Sequence, residues 1–201
     1  MAEEKEFHRR SIRIRGADYT QPGGYFVTIC TSGFASTNPE THCTAERGSI
    51  FGKIEDGLMK LTALGEIARR CWVRIPEHFA NASMKEFVVM PNHVHGIIAL
   101  GVGARYIVPF GRDVRTPEQF QKPVKGSIPT IVRTFKAEVT RAARKEIGFR
   151  GGPIWQRNYF ERVLRDGREY RDASRYILEN PKRWSVERET VQDGEDLWER
   201  R

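Results

Sequence analysis

The sequence predicts an α+β domain in which helices pack on one face of an antiparallel sheet. Short runs of β-branched and aromatic residues alternate with longer segments of helical apolar spacing. The elements run β, β-hairpin, α, β, β, α, α, so strands follow strands and are not each returned by a helix. With 201 residues, 39% of them hydrophobic, there is enough apolar side chain for one buried core. No internal repeat is visible.

Residues 1–24 read as a polar, basic lead-in that ends in the turn signal Gln21-Pro22-Gly23-Gly24. Tyr25–Thr31 reads as a buried strand, and residues 32–49, rich in Ser, Thr, Gly, Asn and Pro, as a loop. Ile50–Lys60 holds two short apolar pieces around Glu55-Asp56-Gly57, the pattern of a hairpin. Leu61, Leu64, Ile67, Cys71, Trp72 and Ile75 keep helical spacing, which predicts an amphipathic helix over 61–76. Glu86–Met90 reads as a strand, and after Pro91-Asn92 a second one runs over His93–Leu100. Residues 101–126, with seven Gly or Pro, read as an insertion. Ser127 can cap a helix that has Pro129 in its first turn and a stripe of Ile131, Val132, Phe135, Val139 and Ala142. Gly148–Pro153 ends it. After a short extended or helical piece over Ile154–Leu164, Asp166-Gly-Arg-Glu169 opens a last helix, expected to stop at Asn180 because Pro181 follows. Residues 25–184 thus form one domain, followed by a charged tail over 185–201.

Composition excludes several classes. No run of about 18 apolar residues is present, so no membrane span is expected. The start, MAEEKEFHRR, lacks the apolar stretch of a secretory signal. Three cysteines (Cys30, Cys43, Cys71) are too few for a disulfide framework or a Cys-rich zinc site, so a reducing cytoplasm is the expectation. The net charge is +8, and residues 131–184 alone hold 14 Lys/Arg against 7 Asp/Glu. Nucleic acid is the natural partner for such an excess, although a merely basic surface has the same composition.

Three groups of residues carry candidate chemistry. His93 and His95, two apart in a strand, project side by side and can ligate one divalent metal; two hydrogen-bonded surface histidines would look the same. Tyr176 and Asn180 stand one helical turn apart beside a stripe marked by Ala173 and Ile177, where a tyrosine is more commonly core. A tyrosine nucleophile needs activation, its hydroxyl having a pKa of about 10. Trp155-Gln156-Arg157-Asn158-Tyr159-Phe160-Glu161 mixes aromatics, amides and a guanidinium, which suits base stacking and phosphate contact as well as it suits an aromatic plug beside the sheet.

Together these segments resemble one family. Phe87-Val-Val-Met-Pro-Asn-His-Val-His-Gly-Ile97, Ile154-Trp-Gln-Arg-Asn-Tyr-Phe-Glu161 and Tyr176-Ile-Leu-Glu-Asn-Pro-Lys-Arg-Trp184 are similar to the REP-associated tyrosine transposases, members of the HUH single-strand DNA transposases with one catalytic tyrosine. Pro22–Thr28 and Gly103–Pro109 fit as well, so the resemblance spans roughly residues 8–184. It implies a ferredoxin-like sheet carrying His93 and His95 as metal ligands, and Tyr176 as nucleophile. Asn180 falls where relatives place a third ligand, often Gln, and its amide oxygen suits Mg²⁺ or Mn²⁺ better than zinc. Tyr159 occupies an aromatic position that is not the nucleophile, and Arg162 stands where many relatives have His.

The implied activity is cleavage and rejoining of single-stranded DNA at hairpins through a 5′-phosphotyrosine, without ATP. Trp155, Gln156, Arg157, Lys182 and Arg183 are the expected DNA contacts. A domesticated protein that binds hairpins without cutting is the alternative, and a metal hydrolase built on the His-Val-His pair is a third reading. No membrane partner is expected, and both monomer and homodimer stay open.

Overall fold

Strand β1 (Gly23–Cys30) sets the two-sided character of the sheet. Tyr25, Val27 and Ile29 point to one face and are fully buried, while Phe26 and Thr28 point to the other. The computed structural model describes residues 20–32, 49–101 and 124–187. The expected lead-in, most of the 32–49 loop, most of the 101–126 insertion and the end of the tail lie outside the described residues.

Strands β4 (Ala82–Val89), β5 (His93–Leu100) and β6 (Phe160–Leu164) join β1 in an antiparallel sheet of order β4-β5-β1-β6. Helix α1 (Ala63–Val73) lies on the path from β1 to β4, and α3 (Ile128–Glu146) on the path from β5 to β6. Each connection skips one intervening strand. This β-α-β-β-α-β path is the ferredoxin-like arrangement. A hairpin of β2 (Gly52–Glu55) and β3 (Leu58–Leu61) precedes α1. Its turn residues Asp56 and Gly57 both have positive φ, 51° and 70°, as the tightest hairpin turns require.

The main core lies between the sheet and α1 with α3. Leu64, Ile67, Trp72, Ile131, Phe135 and Val139 pack against Tyr25, Val27, Ile29, Val94 and Ile98. Gly96 makes this possible: a Cβ there would lie 2.2 Å from Trp72 Cζ2. The indole stacks on Phe87 and meets Phe135 edge-on.

Several expectations need correction. The segment expected as a helix over 61–76 is α1 followed by a short turn, α2 (Ile75–His78), because Pro76 has no N–H to continue the ladder from Trp72. Ser127 sits at the α3 N-cap position, but its hydroxyl donates to Thr130 Oγ1. Pro129 removes one of the two N–H groups a capping side chain would use. Strand β4 is longer than Glu86–Met90 and carries a register shift between Met84 and Phe87. Cys71 is a free, half-buried thiol.

The largest corrections concern α4 (Gly167–Glu187). Its start is as expected: Asp166 Oδ1 accepts from the backbone N–H of Arg168 and Glu169, and Glu169 Oε2 accepts from Arg165 N. It does not stop at Asn180. It runs through Pro181, which forfeits one hydrogen bond, to a further turn held by the buried Trp184. Helix α4 also lies on the second face of the sheet, where Ala173 and Ile177 pack with Phe26, Ile97 and Leu164. Helices therefore cover both faces.

Candidate active site

The second face brings together residues that are far apart in the chain. His93 and His95 project from β5 toward α4, their ring centroids 4.3 Å apart. Both are buried, as a central strand under a helix requires. The alternation that aims them at α4 aims Val94 and Gly96 at the main core.

Each imidazole is tied at Nδ1. Thr28 lies opposite His95 across the β1–β5 ladder, with Thr28 Oγ1 2.9 Å from His95 Nδ1. His93 Nδ1 lies 2.8 Å from Asn92 Oδ1. An amide oxygen only accepts, so this hydrogen bond is made by a His93 ring protonated at Nδ1. Partners at Nδ1 of this kind orient an imidazole that uses Nε2 as a ligand.

Tyr176 reaches this point from α4. Its ring lies 5.3 Å from that of His95 and meets Phe26 edge-on at 6.0 Å, while Phe26 stacks on His95. The tyrosine is half-buried, so one side of the cluster opens to solvent. One turn later Asn180 is buried on the same side of the helix. A further turn on, Trp184 packs on His93 with centroids 5.7 Å apart. The extension past Pro181 thus closes the cluster at its His93 end.

Among the described residues no three His, Cys, Asp or Glu side chains come together to hold a metal ion. Asn180, buried one turn from Tyr176 on α4, carries an amide oxygen, a donor of the type that suits Mg²⁺ or Mn²⁺.

A second tyrosine on α4 shows the contrast. Tyr170 donates to Glu86 Oε2 at 2.7 Å, and burial followed by that carboxylate pushes its hydroxyl up to about 12. Tyr170 is a packing residue locked to β4; Tyr176 faces the histidines.

The expected DNA contacts separate into two kinds. Trp155 belongs to the main core, its ring 5.3 Å from Phe51 and 5.4 Å from Phe135 and its indole N–H donated to Lys136 O. That is the aromatic-plug arrangement, and little of the ring is left for a base. Tyr159 is buried in the same core. Gln156 donates its backbone N–H to Cys30 O, which ties this loop to the β1 end beside His93, and Arg157 is exposed there. Lys182 is exposed against the β2–β3 turn at Gly57, and Arg183 is paired with Glu179 at 2.6 Å.

Phe26, Thr28, Asn92, Trp184 and Phe160 were not assigned roles from sequence. Thr28 could have been found from strand parity and Asn92 from its place before the pair; Phe160 lies opposite Thr28 on β6 and is exposed on this face. Phe26 and Trp184 needed the topology.

No family model matches the chain. A solved structure of a REP-associated tyrosine transposase bound to a REP hairpin is similar at 18% identity, over 91% of this chain and 74% of that one, with a TM-score of 0.48. Another, provisionally described as a transposase from Deinococcus radiodurans, is 15% identical over 84% of this chain and 98% of that one, with a TM-score of 0.37. An uncharacterized protein of Haemophilus influenzae is 37% identical over 177 residues, 88% of this chain and 90% of its own length. At that identity and coverage, the chain belongs to one family with the Haemophilus influenzae protein.

Proposed function

We propose that the protein cleaves and rejoins single-stranded DNA at hairpins, as the REP-associated tyrosine transposases that its motifs resemble do. The observation that carries the reading is the meeting of His93, His95 and Tyr176 across the β5–α4 interface. Tyr176 and a histidine pair about 80 positions earlier in the chain come together at one half-open point, which packing alone does not require.

In the proposed step the Tyr176 hydroxyl oxygen attacks a DNA phosphorus. A phosphorus–tyrosine oxygen bond forms as the bond to the 3′ oxygen breaks. The phenolic proton passes to water, and the departing oxygen gains one to become a 3′-hydroxyl. The phosphodiester is exchanged and not hydrolysed, so the reverse attack by a 3′-hydroxyl rejoins a strand. His93, His95 and Asn180 would hold a divalent cation, Mg²⁺ or Mn²⁺, which when bound polarises the phosphate and stabilises charge on its oxygens. Thr28 and Asn92 keep the imidazoles turned for that task, and Phe26 holds the tyrosine ring beside His95.

Labelled hairpin oligonucleotides incubated with the protein and Mg²⁺ or Mn²⁺ test this on denaturing gels. A cut strand is expected, with the 3′-side fragment linked to the protein through its 5′ phosphate and the other fragment ending in a free 3′-hydroxyl. Hairpin binding with no cut under either metal would instead identify a binding protein.

A further inference from the structure

We propose that a groove between α3 and residues 149–155 is a separate contact for a single DNA strand, on the side of the sheet away from Tyr176. The groove is shallow and open, with a volume of about 900 Å³. Its helical wall is made by two neighbouring rows of α3, residues 136, 140 and 144 and residues 137, 141 and 145. Two of these side chains are small: Ala137, and Thr140 whose hydroxyl turns back to donate to Lys136 O. The longer ones are all cations, namely Lys136, Arg141, Arg144 and Lys145.

The carboxylates of α3 engage one of the four, Arg141. Glu138 pairs with Arg141, and Glu146 is taken by Arg70 of α1. Arg144 and Lys145 are exposed and form no ion pair among the described residues. Lys136 Nζ donates to the carbonyls of Gln156 and Asn158. Burial pushes its pKa down to about 8, and a bound anion would offset that cost.

The facing wall is different. Phe149 and Pro153 are apolar, and at Gly152 a side chain would meet nothing within 4 Å, so the wall leaves room for a ligand. Cations along one wall and an apolar surface along the other match a strand whose bases are accessible. Duplex DNA offers phosphates but keeps its base faces stacked inside. The proposal rests on the nucleic-acid reading of the chain and not on the tyrosine chemistry.

The test is binding of a fluorescein-labelled 20-nucleotide oligothymidylate to the full chain across a salt series, with duplex of equal length for comparison. Arg144→Glu with Lys145→Glu should weaken single-strand binding about tenfold or more near physiological salt. The salt slope should flatten by about 1.4, because each phosphate contact to a single strand contributes about 0.7. Arg69→Glu with Arg74→Glu, on the exposed side of α1, makes the same change in net charge and should cost much less. Equal losses from the two pairs, no loss from the groove pair, or equal dependence for duplex would each overturn the groove. Cleavage of hairpins is read separately. If the wild type cuts while the groove pair binds normally, the groove fails and the proposed activity stands. Groove-dependent binding without any adduct supports the groove and removes the proposed activity.

Discussion

Tyr176 and Tyr159 separate sharply in their surroundings. Tyr176→Phe removes only a hydroxyl, and its ring contacts with His95 and Phe26 need no oxygen, so stability should stay close to wild type by thermal melting. Cleavage and adduct should disappear together. Tyr159→Phe changes a buried core position in the other layer and should keep most of the cleavage activity. Replacing His93 and His95 together by Ala should abolish cleavage while hairpin affinity in a binding assay stays largely intact. Thr28→Val keeps the shape of the strand but removes the His95 Nδ1 partner. Loss of such a partner commonly costs about 10–100-fold, so the Mn²⁺ concentration needed for half-maximal cleavage should rise by a similar factor. Lys136 has a pH signature of its own. Its folded pKa of about 8 lies below the ordinary 10.5, so between these values the unfolded chain binds more protons. Stability should therefore rise with pH across that window, and Lys136→Met should lack the rise in denaturant titrations.

At the scale of elements, β5 is where sequence and structure agree best. The run His93–Leu100 is a strand with the expected limits, and its alternation places both histidines on one face. Both parities of that run are apolar around the histidines, the pattern of a strand covered on both faces, and α4 supplies the second cover. The end of α4 was not legible. Proline is a strong local stop signal, but the turn beyond it is held by a tertiary contact, Trp184 on His93, that no local pattern contains. Trp184→Ala should cost about 3 kcal/mol by the usual scale for buried aromatics and loosen the last turn of α4, whereas Trp184→Phe should recover most of the loss. Circular dichroism melts with cleavage assays on the same variants check both parts. Gly96→Ala should destabilise more than its single methyl suggests, because Trp72 blocks the added atom.

Across the whole molecule, the charge asymmetry visible in residues 131–184 acquires a location. Its cations lie on α3, on the loop with Arg157, on and just after β6 and along α4, while the acidic residues are largely engaged by arginines. Composition alone could not distribute them, since it carries no information on which helix faces are exposed. Charge reversal at Arg157, or at Lys182 with Arg183, should lower hairpin affinity at moderate salt; unchanged affinity would remove that end of the domain from the binding surface. Trp155 was equally open to stacking and to packing from sequence, and it packs because Phe51 and Phe135 converge on its ring. No helix of the described residues is long and apolar enough to cross a membrane. The central claim is that one oxygen, on Tyr176, becomes linked to DNA. Mass spectrometry of the protease-digested protein after reaction with a hairpin oligonucleotide and Mn²⁺ tests it most directly. The account predicts a nucleotide-bearing peptide that contains Tyr176 and vanishes in Tyr176→Phe; a nucleotide on the Tyr159 or Tyr170 peptide, or cleavage that persists in Tyr176→Phe without any adduct, would contradict it.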